Sequence, residues 1–299
     1  MKDLIIIGAG PAGITAAIYA ARKKLDFFVI TQNIGGQAAW AGEVGNYSGF
    51  HLVTGAELSE KFQEHMSKYS ISIQEKESVQ SVEKIEGGFS VTSDKGAYQT
   101  KTVIVATGKK SRLLNVPGEF KYSRKGVHYC ATCDGPVFSG KEVAIVGAGN
   151  SALDAALQMI KIAKKVYVIV KGQSFSGDAV MIEKVKTAPN LSILFNAAIK
   201  EIRGDKFVNG IIVEQEGKIN EIPLQGIFIE IGLVPNSSFI SIVDKNEKSE
   251  ILIDCAACSS IPGIFAAGDV TMIPGKQIII AAGDGAKAVL SAFDYLSRL

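Results

Sequence analysis

Two cysteines two residues apart, Cys130-Ala-Thr-Cys133, are followed directly by an acid, Asp134. That spacing suits a disulfide that opens and closes at a helix start, where the dipole lowers a thiol pKa and favours a reactive thiolate. Asp134 stands where a proton donor or acceptor would serve the pair. Two other readings of these residues stay open: ordinary buried thiols, or half of a zinc site. Zinc needs two further ligands, and His128 stands too close while His51 and His65 are remote in the sequence. Glycine-rich loops flank the pair, Gly8-x-Gly10-x-x-Gly13 before it and Gly147-x-Gly149-x-x-Ala152 after it. Such loops let backbone amides approach a pyrophosphate at a helix N-terminus. A redox pair between two dinucleotide loops implies electrons passing from a bound cofactor to a disulfide.

These residues need rigid elements to position them. Leu4–Ile7 reads as a buried strand, Pro11–Lys23 as a helix and Phe27–Ile30 as the next strand. Strands this uniformly apolar belong in a parallel sheet covered on both faces. The acid often found at the end of the second strand for a ribose hydroxyl is missing, with Thr31-Gln32 in its place. Thr102–Thr107 is a further buried strand running into Gly108. Val143–Val146 begins a second unit of the same kind, with a helix from about Ser151 to Ile162 and a strand Val166–Val170. Gly263-Ile-Phe-Ala-Ala-Gly268-Asp269 is a strand ending at a glycine and an acid, and Gln277–Leu296 reads as a long helix. The two loops lie too far apart for a solenoid repeat and suit a duplicated nucleotide-binding fold. The expected fold is α/β, with two Rossmann-like, three-layer dinucleotide-binding domains and the second inserted into the first. Boundaries are suggested by Val116-Pro-Gly-Glu119 and by Asp244-Lys-Asn-Glu-Lys248. They predict a discontinuous domain of 1–115 and 244–299 around an inserted domain of 116–243.

A chain of 299 residues with 47% hydrophobic and 21% charged residues has an ordinary globular balance. Its net charge of +2 gives no sign of nucleic-acid binding or a polybasic membrane anchor. Clusters at Lys109–Arg112, Lys121–Lys125 and Lys164-Lys165 read first as solvated surface and second as docks for an acidic partner. Leu4–Ala21 lacks charge, yet Gly8, Gly10, Pro11 and Gly13 break it, and Lys2-Asp3 is not a signal-peptide start. A cytoplasmic protein with an unprocessed N-terminus is expected. Short Cys-x-x-Cys pairs in a chain this long fit that better than a secreted disulfide framework.

Together these residues resemble the low-molecular-weight thioredoxin reductases, and the second half is similar to the flavoprotein component of alkyl hydroperoxide reductase. The resemblance covers nearly the whole chain. It rests on the first glycine loop, Gly35-Gly36-Gln37, Cys130-Ala-Thr-Cys133-Asp134-Gly135, Gly147-x-Gly149-x-x-Ala152, Gly263–Asp269 and Lys276-Gln277-Ile-Ile-Ile-Ala-Ala-Gly283. It implies FAD in the discontinuous domain. Gly8, Gly10 and Gly13 would hold its pyrophosphate, with Pro11 and Ala12 beside them. Gly35, Gly36, Gln37 and Asn46 would flank the flavin, Asp269 would bond the ribityl chain, and Gln277 would stand near the pyrimidine edge at a helix N-terminus. Ala106, Gly108, Gly268, Lys276 and Ile278 complete the implied set. Cys133 would face the flavin, Cys130 would attack a partner's disulfide, and Asp134 would be the acid. The domains are expected to rotate between these encounters, and a homodimer is implied. The thioredoxin-like domains of the hydroperoxide reductase flavoprotein have no counterpart here, which implies a separate thioredoxin-like partner.

The electron donor is where the residues depart from the family pattern. Members that use NADPH carry His-Arg-Arg and a further Arg after the second loop's strand, gripping the 2′-phosphate. Here those positions are Val170, Lys171, Gly172 and Ser176. The glutamate of NADH-using relatives is also missing, at Val170. Each lost ion-assisted contact weakens binding by roughly 1.5–3 kcal/mol. Gly147, Gly149, Asn150, Ser151 and Ala152 are then either a loop for NADH (NADPH fits least) or a packing feature. The missing contacts favour the second case, in which electrons come from reduced ferredoxin, as in some members of the family. Another class stays open: a ferredoxin–nucleotide reductase or oxidase, or a redox sensor, on the same fold. Cys255-Ala-Ala-Cys258 reads as ordinary thiols before an auxiliary disulfide, and Trp40 as a flavin shield or as packing.

Overall fold

The computed structural model describes residues 1–41 and 43–299, without the side chains of Trp40 and Glu43. The expectation for Trp40 therefore lies outside the described residues. The chain divides into two units, Met1–Lys110 with Val234–Leu299, and Ser111–Leu233. The second boundary falls at Val234 and not near Asp244, because Ile240 and Val243 are buried in the first unit's core.

The first unit begins β1 (Lys2–Ala9), α1 (Pro11–Arg22) and β2 (Phe27–Ile34). A short hairpin follows, β3 (Glu43–Val44) and β4 (Val53–Thr54), then α2 (Gly55–Ser67), which a Thr54/Glu57 capping box starts. Next come β5 (Ile73–Glu75), β6 (Val79–Ile85), β7 (Gly88–Ser93), β8 (Ala97–Val105) and β9 (Lys109–Ser111). Leu4–Ile7 are 0–3% exposed, as a strand covered on both faces must be.

The second unit contains β10 (Val127–His128), α3 (Ala131–Asp134), β11 (Glu142–Val146), α4 (Asn150–Met159) and β12 (Lys165–Ile169). It continues through α5 (Ala179–Lys186), β13 (Leu191–Leu194), β14 (Ala197–Gly204), β15 (Val208–Gln215), β16 (Lys218–Pro223) and β17 (Gly226–Ile229), and β18 (Leu233–Pro235) straddles the boundary with the first unit. Strands β10-β17-β11-β12-β13 form a parallel sheet, and β14-β15-β16 a separate antiparallel one. Back in the first unit, β19 (Ile264–Ala266) and α6 (Ile278–Leu296) end the chain. The main sheet there runs β5-β2-β1-β8-β7-β6, with β19 joining β8. β5, β2, β1, β8 and β19 are mutually parallel, whereas β6 and β7 form an antiparallel extension. This is the mixed α/β architecture expected, with helices packed on parallel sheets. α6 starts one residue later than its apolar run suggests, because Gln277 is its extended N-cap. No described helix is long and apolar enough to cross a membrane.

Candidate functional site

In the first unit, β1, β2, β8 and β19 end at one edge of the sheet, where ligands of open α/β sheets bind. Gly8 has φ +104°, and a side chain there would lie 2.4 Å from the Ala106 carbonyl oxygen. A Cβ at Gly13 would lie 1.8 Å from the Gly8 carbonyl oxygen, so only glycine lets α1 pack this tightly onto the loop. Gly10 caps α1 with no side chain, and Pro11 opens its first turn, leaving helix amides for an outside acceptor. The Gly35 amide donates to the Ala9 carbonyl at 2.7 Å, and a Cβ on Gly36 would lie 3.1 Å from Gly10 Cα. Thr31, in the place of the missing acid, is buried and accepts from the Ala9 amide at 3.2 Å. That hydroxyl is committed to holding the loop.

Asn46 and Gln277 meet although 231 residues separate them, with Asn46 Nδ2 donating to Gln277 Oε1 at 3.0 Å. Gly268 packs against Ala12 and Ala281. Asp269 follows it, with Lys276, Lys109 and Asp284 as charged neighbours, and its carboxylate accepts no hydrogen bond among the described residues. Burial pushes its pKa up, which the two lysines oppose. Lys276 Nζ donates to the Thr271 carbonyl at 2.6 Å and the Ile273 carbonyl at 2.5 Å. Burial lowers its pKa, and Lys109 adds to the drop. Gln37 is exposed, Gly108 half-buried, and Ile278 packs against the small cluster of Val44, Val53 and Leu58. Lys109, expected from its basic neighbours to lie in a surface cluster, is instead buried in an ion pair with Glu250. Burial opposes ionisation of Glu250, yet hydrogen bonds from Lys109 and Asn246 hold its pKa below the usual carboxylate value. These residues fit a flavin dinucleotide: a loop cleared of side chains for the pyrophosphate, and an unpaired acceptor at Asp269 for hydroxyls.

In the second unit, Cys130 and Cys133 are joined as a disulfide, with Cα atoms 5.4 Å apart. Cys130 is the N-cap of α3, and its sulfur accepts from the Cys133 amide at 3.2 Å. Tyr129 before it is fastened to Glu119, which is fully buried and also accepts from the Leu114 and Asn115 amides. Burial and the Glu119 carboxylate push the Tyr129 phenol pKa far up, so it stays a donor. Asp134 is buried, and His128 Nδ1 lies 2.9 Å from its Oδ2. His128 packs between Phe138 and Phe228. Its sequence position suggested nothing beyond a metal ligand set too close to the cysteines; in the fold it orients the expected acid.

The second glycine loop is tight in another way. Gly147 has φ +149°, and a Cβ there would lie 2.4 Å from the Glu230 carbonyl oxygen and 2.8 Å from Ala152 Cβ. The Ser176 amide donates to the Ala148 carbonyl at 2.9 Å, and the Asp178 amide to Asn150 Oδ1 at 2.7 Å. Ser151 is exposed beside Asn150. Val170 is fully buried, whereas Lys171, Gly172 and Ser176 are exposed. Cys255 and Cys258 are free thiols on a tight turn, where Asp254 Oδ1 accepts from the Ala256 and Cys258 amides. Burial pushes the Cys258 thiol up. No group of three His, Cys, Asp or Glu is placed to hold a metal ion among the described residues.

The pyridine nucleotide-disulphide oxidoreductase family model matches residues 2–286. The chain is 40% identical over 300 residues to a protein named NADH dehydrogenase from Bacillus subtilis. It is also 40% identical over 304 residues to an alkyl hydroperoxide reductase component of Escherichia coli. Each alignment covers 99% of this chain but only 59% and 58% of the relative, so the chain spans under two thirds of these proteins. The thioredoxin reductase of Streptococcus pyogenes superposes with a TM-score of 0.93 at 34% identity, over 100% of this chain and 99% of that one. The thioredoxin reductase of T. acidophilum gives 0.69 at 38% identity, over 98% of each. The fold, with its two dinucleotide-binding domains, is that of these thioredoxin reductases. By sequence, by fold and by its cysteine pair, the chain belongs to the pyridine nucleotide-disulphide oxidoreductases.

Proposed function

We propose that this chain is a FAD-dependent disulfide reductase that reduces a thioredoxin-like protein through Cys130 and Cys133. The observation that carries this reading is the disulfide opening α3, with Asp134 beneath it bonded to His128. In the reduced pair, the Cys130 thiolate attacks a sulfur of the partner's disulfide and forms a mixed disulfide. The partner's departing sulfur takes a proton that Asp134 holds, and His128 keeps that carboxyl aimed. Cys133 then attacks the Cys130 sulfur and its thiol proton passes to the partner's second sulfur, which restores the internal disulfide and releases the partner as a dithiol. Bound FAD supplies the two-electron carrier that resets the pair. Gly8, Gly10 and Gly13 would hold its pyrophosphate, Asn46 and Gln277 its ring, and Asp269 its hydroxyls. A homodimer in the cytoplasm belongs to the same reading.

Two donors each have an observation behind them. Reduced ferredoxin is supported by Val170, which is fully buried and offers no ribose contact. The lysine clusters support it less, because Lys109 is engaged inside the first unit. NADH is supported by the tight Gly147–Ala152 loop and by the name of the 40% identical Bacillus subtilis relative. Anaerobic bleaching of the flavin by NADH, NADPH or reduced ferredoxin, added separately, tests them. Bleaching by micromolar NADH removes the ferredoxin reading, and bleaching by ferredoxin alone removes NADH. A purified chain that binds no FAD overturns the whole proposal.

A further inference from the structure

Glu230 is the first residue past β17, at the centre of the parallel run β10-β17-β11. The register sets His128 against Phe228 and Val146 against Ile229, so Glu230 emerges between the cysteine segment and the second glycine loop. Its carbonyl oxygen fills the space beneath Gly147. Its side chain goes to the cysteine side, where Oε1 accepts from the Ala131 amide at 3.4 Å. The Ala131 carbonyl accepts from Gln158 Nε2 of α4 at 3.0 Å. The residue that follows Cys130 is thus gripped at both polar atoms, on one side by an ionisable group.

The charges around Glu230 are few. Asp154 of α4 is the one that acts on it. His128 and Asp134 are spent on each other, Arg112 lies beyond at Gly232, and the loop after β11 offers only Gly147, Ala148 and Gly149. Burial pushes the carboxyl pKa up to about 7, against the pull of the Ala131 amide and with the help of Asp154. Among the described residues no cation acts on it to hold it ionised.

We propose that Glu230 is a positioning residue for the cysteine pair, taking up one proton when the Cys130–Cys133 bond is reduced and so controlling the charge that faces the Cys130 thiolate. This rests on the reading of the pair as the redox centre. Two electrons from a dithiol break the sulfur–sulfur bond. One proton goes to the Cys133 sulfur and the second to the Glu230 carboxylate, so the Cys130 sulfur remains an anion beside a neutral acid. When Glu230 ionises instead, two negative groups share one partly buried corner and the thiolate is disfavoured.

The test follows alkylation of the full chain by iodoacetamide between pH 4.5 and 9, after reduction with dithiothreitol, with each cysteine mapped by mass. Wild-type Cys130 should show a broad, two-step profile. Glu230→Gln should collapse it to one step, shifted down by about one pH unit. Its alkylation should match wild type at pH values where Glu230 is neutral and exceed it about tenfold where Glu230 is ionised. Asp154→Asn, which removes a charge that raises the Glu230 pKa, should lower wild-type Cys130 alkylation near pH 7 but leave the profile of Glu230→Gln unchanged. Superimposable profiles for wild type and Glu230→Gln, or an equal Asp154→Asn shift in both backgrounds, would overturn the role of Glu230 alone. If Cys130 and Cys133 never close to a disulfide, the reading of the pair falls and the proposal with it.

Discussion

The two glycine loops are built alike but surrounded differently. Each begins with a left-handed glycine pressed against the carbonyl just past the end of a neighbouring strand, Ala106 for Gly8 and Glu230 for Gly147. Around the first, polar groups are left over: among the described residues Asp269 accepts no hydrogen bond, and the side chains of Asn46 and Gln277 hydrogen-bond only each other. Around the second, they are consumed within the chain, Asn150 by the Asp178 amide and the Ala148 carbonyl by the Ser176 amide. The glycines alone therefore report strand–helix packing. Recognition is read from the acceptors and donors that packing leaves free.

The sharpest break falls on the cysteines. Cys133→Ser should lower turnover by at least about a thousandfold. It should also trap the thioredoxin-like partner on Cys130 as a mixed disulfide on a non-reducing gel. Trapping by Cys130→Ser in its place would reverse the two roles. Next is Val170→Glu, which restores the carboxylate of NADH-using relatives at a fully buried site. An unpaired buried charge costs about 3–5 kcal/mol. Denaturant unfolding should show that loss with no gain in NADH affinity. A stable variant that binds NADH tightly would mean the second loop is poised for recognition after all.

A smaller effect belongs to Glu230. Its folded pKa lies above its unfolded value, so its contribution is full below pH 4.5 and is lost as pH rises through about 7. Glu230→Gln should remove up to about 3 kcal/mol of that pH dependence, and stability curves at pH 5 and pH 8 measure it. Smallest is Asp269→Asn in the first loop's surroundings. Losing the charge on its hydrogen bonds should weaken FAD retention by roughly 1.5–3 kcal/mol, seen by ultrafiltration. Unchanged retention would mean that the leftover acceptor is not a cofactor ligand.

Much of this was legible in the sequence, for a local reason. A loop that admits only glycine, an apolar strand before it and a cysteine pair at a helix start are each properties of a few consecutive residues. The partnerships were not. His128 sits two residues from Cys130, too near to suggest a role, yet the short strand β10 aims it at Asp134. Glu230 lies 99 residues from Ala131 and reaches it only through the β10–β17 register. Lys109 looks like part of a surface run until Glu250, 141 residues on, buries it. A boundary at Asp244 follows local polarity, whereas Ile240 and Val243 have already joined the first core.

The insertion of one unit into the other has a consequence for synthesis. Residues 111–233 are contiguous, so the unit with the cysteine pair can close its sheet before the later segments emerge. The first unit cannot: β19 must still pair with β8, and α6 must still bring Gly285 against Ala12, at the heart of the first loop's helix. A growing chain would then carry a finished redox unit while the edge where the first loop waits for its dinucleotide is still half-built. A cofactor held at that edge would then be captured late in folding.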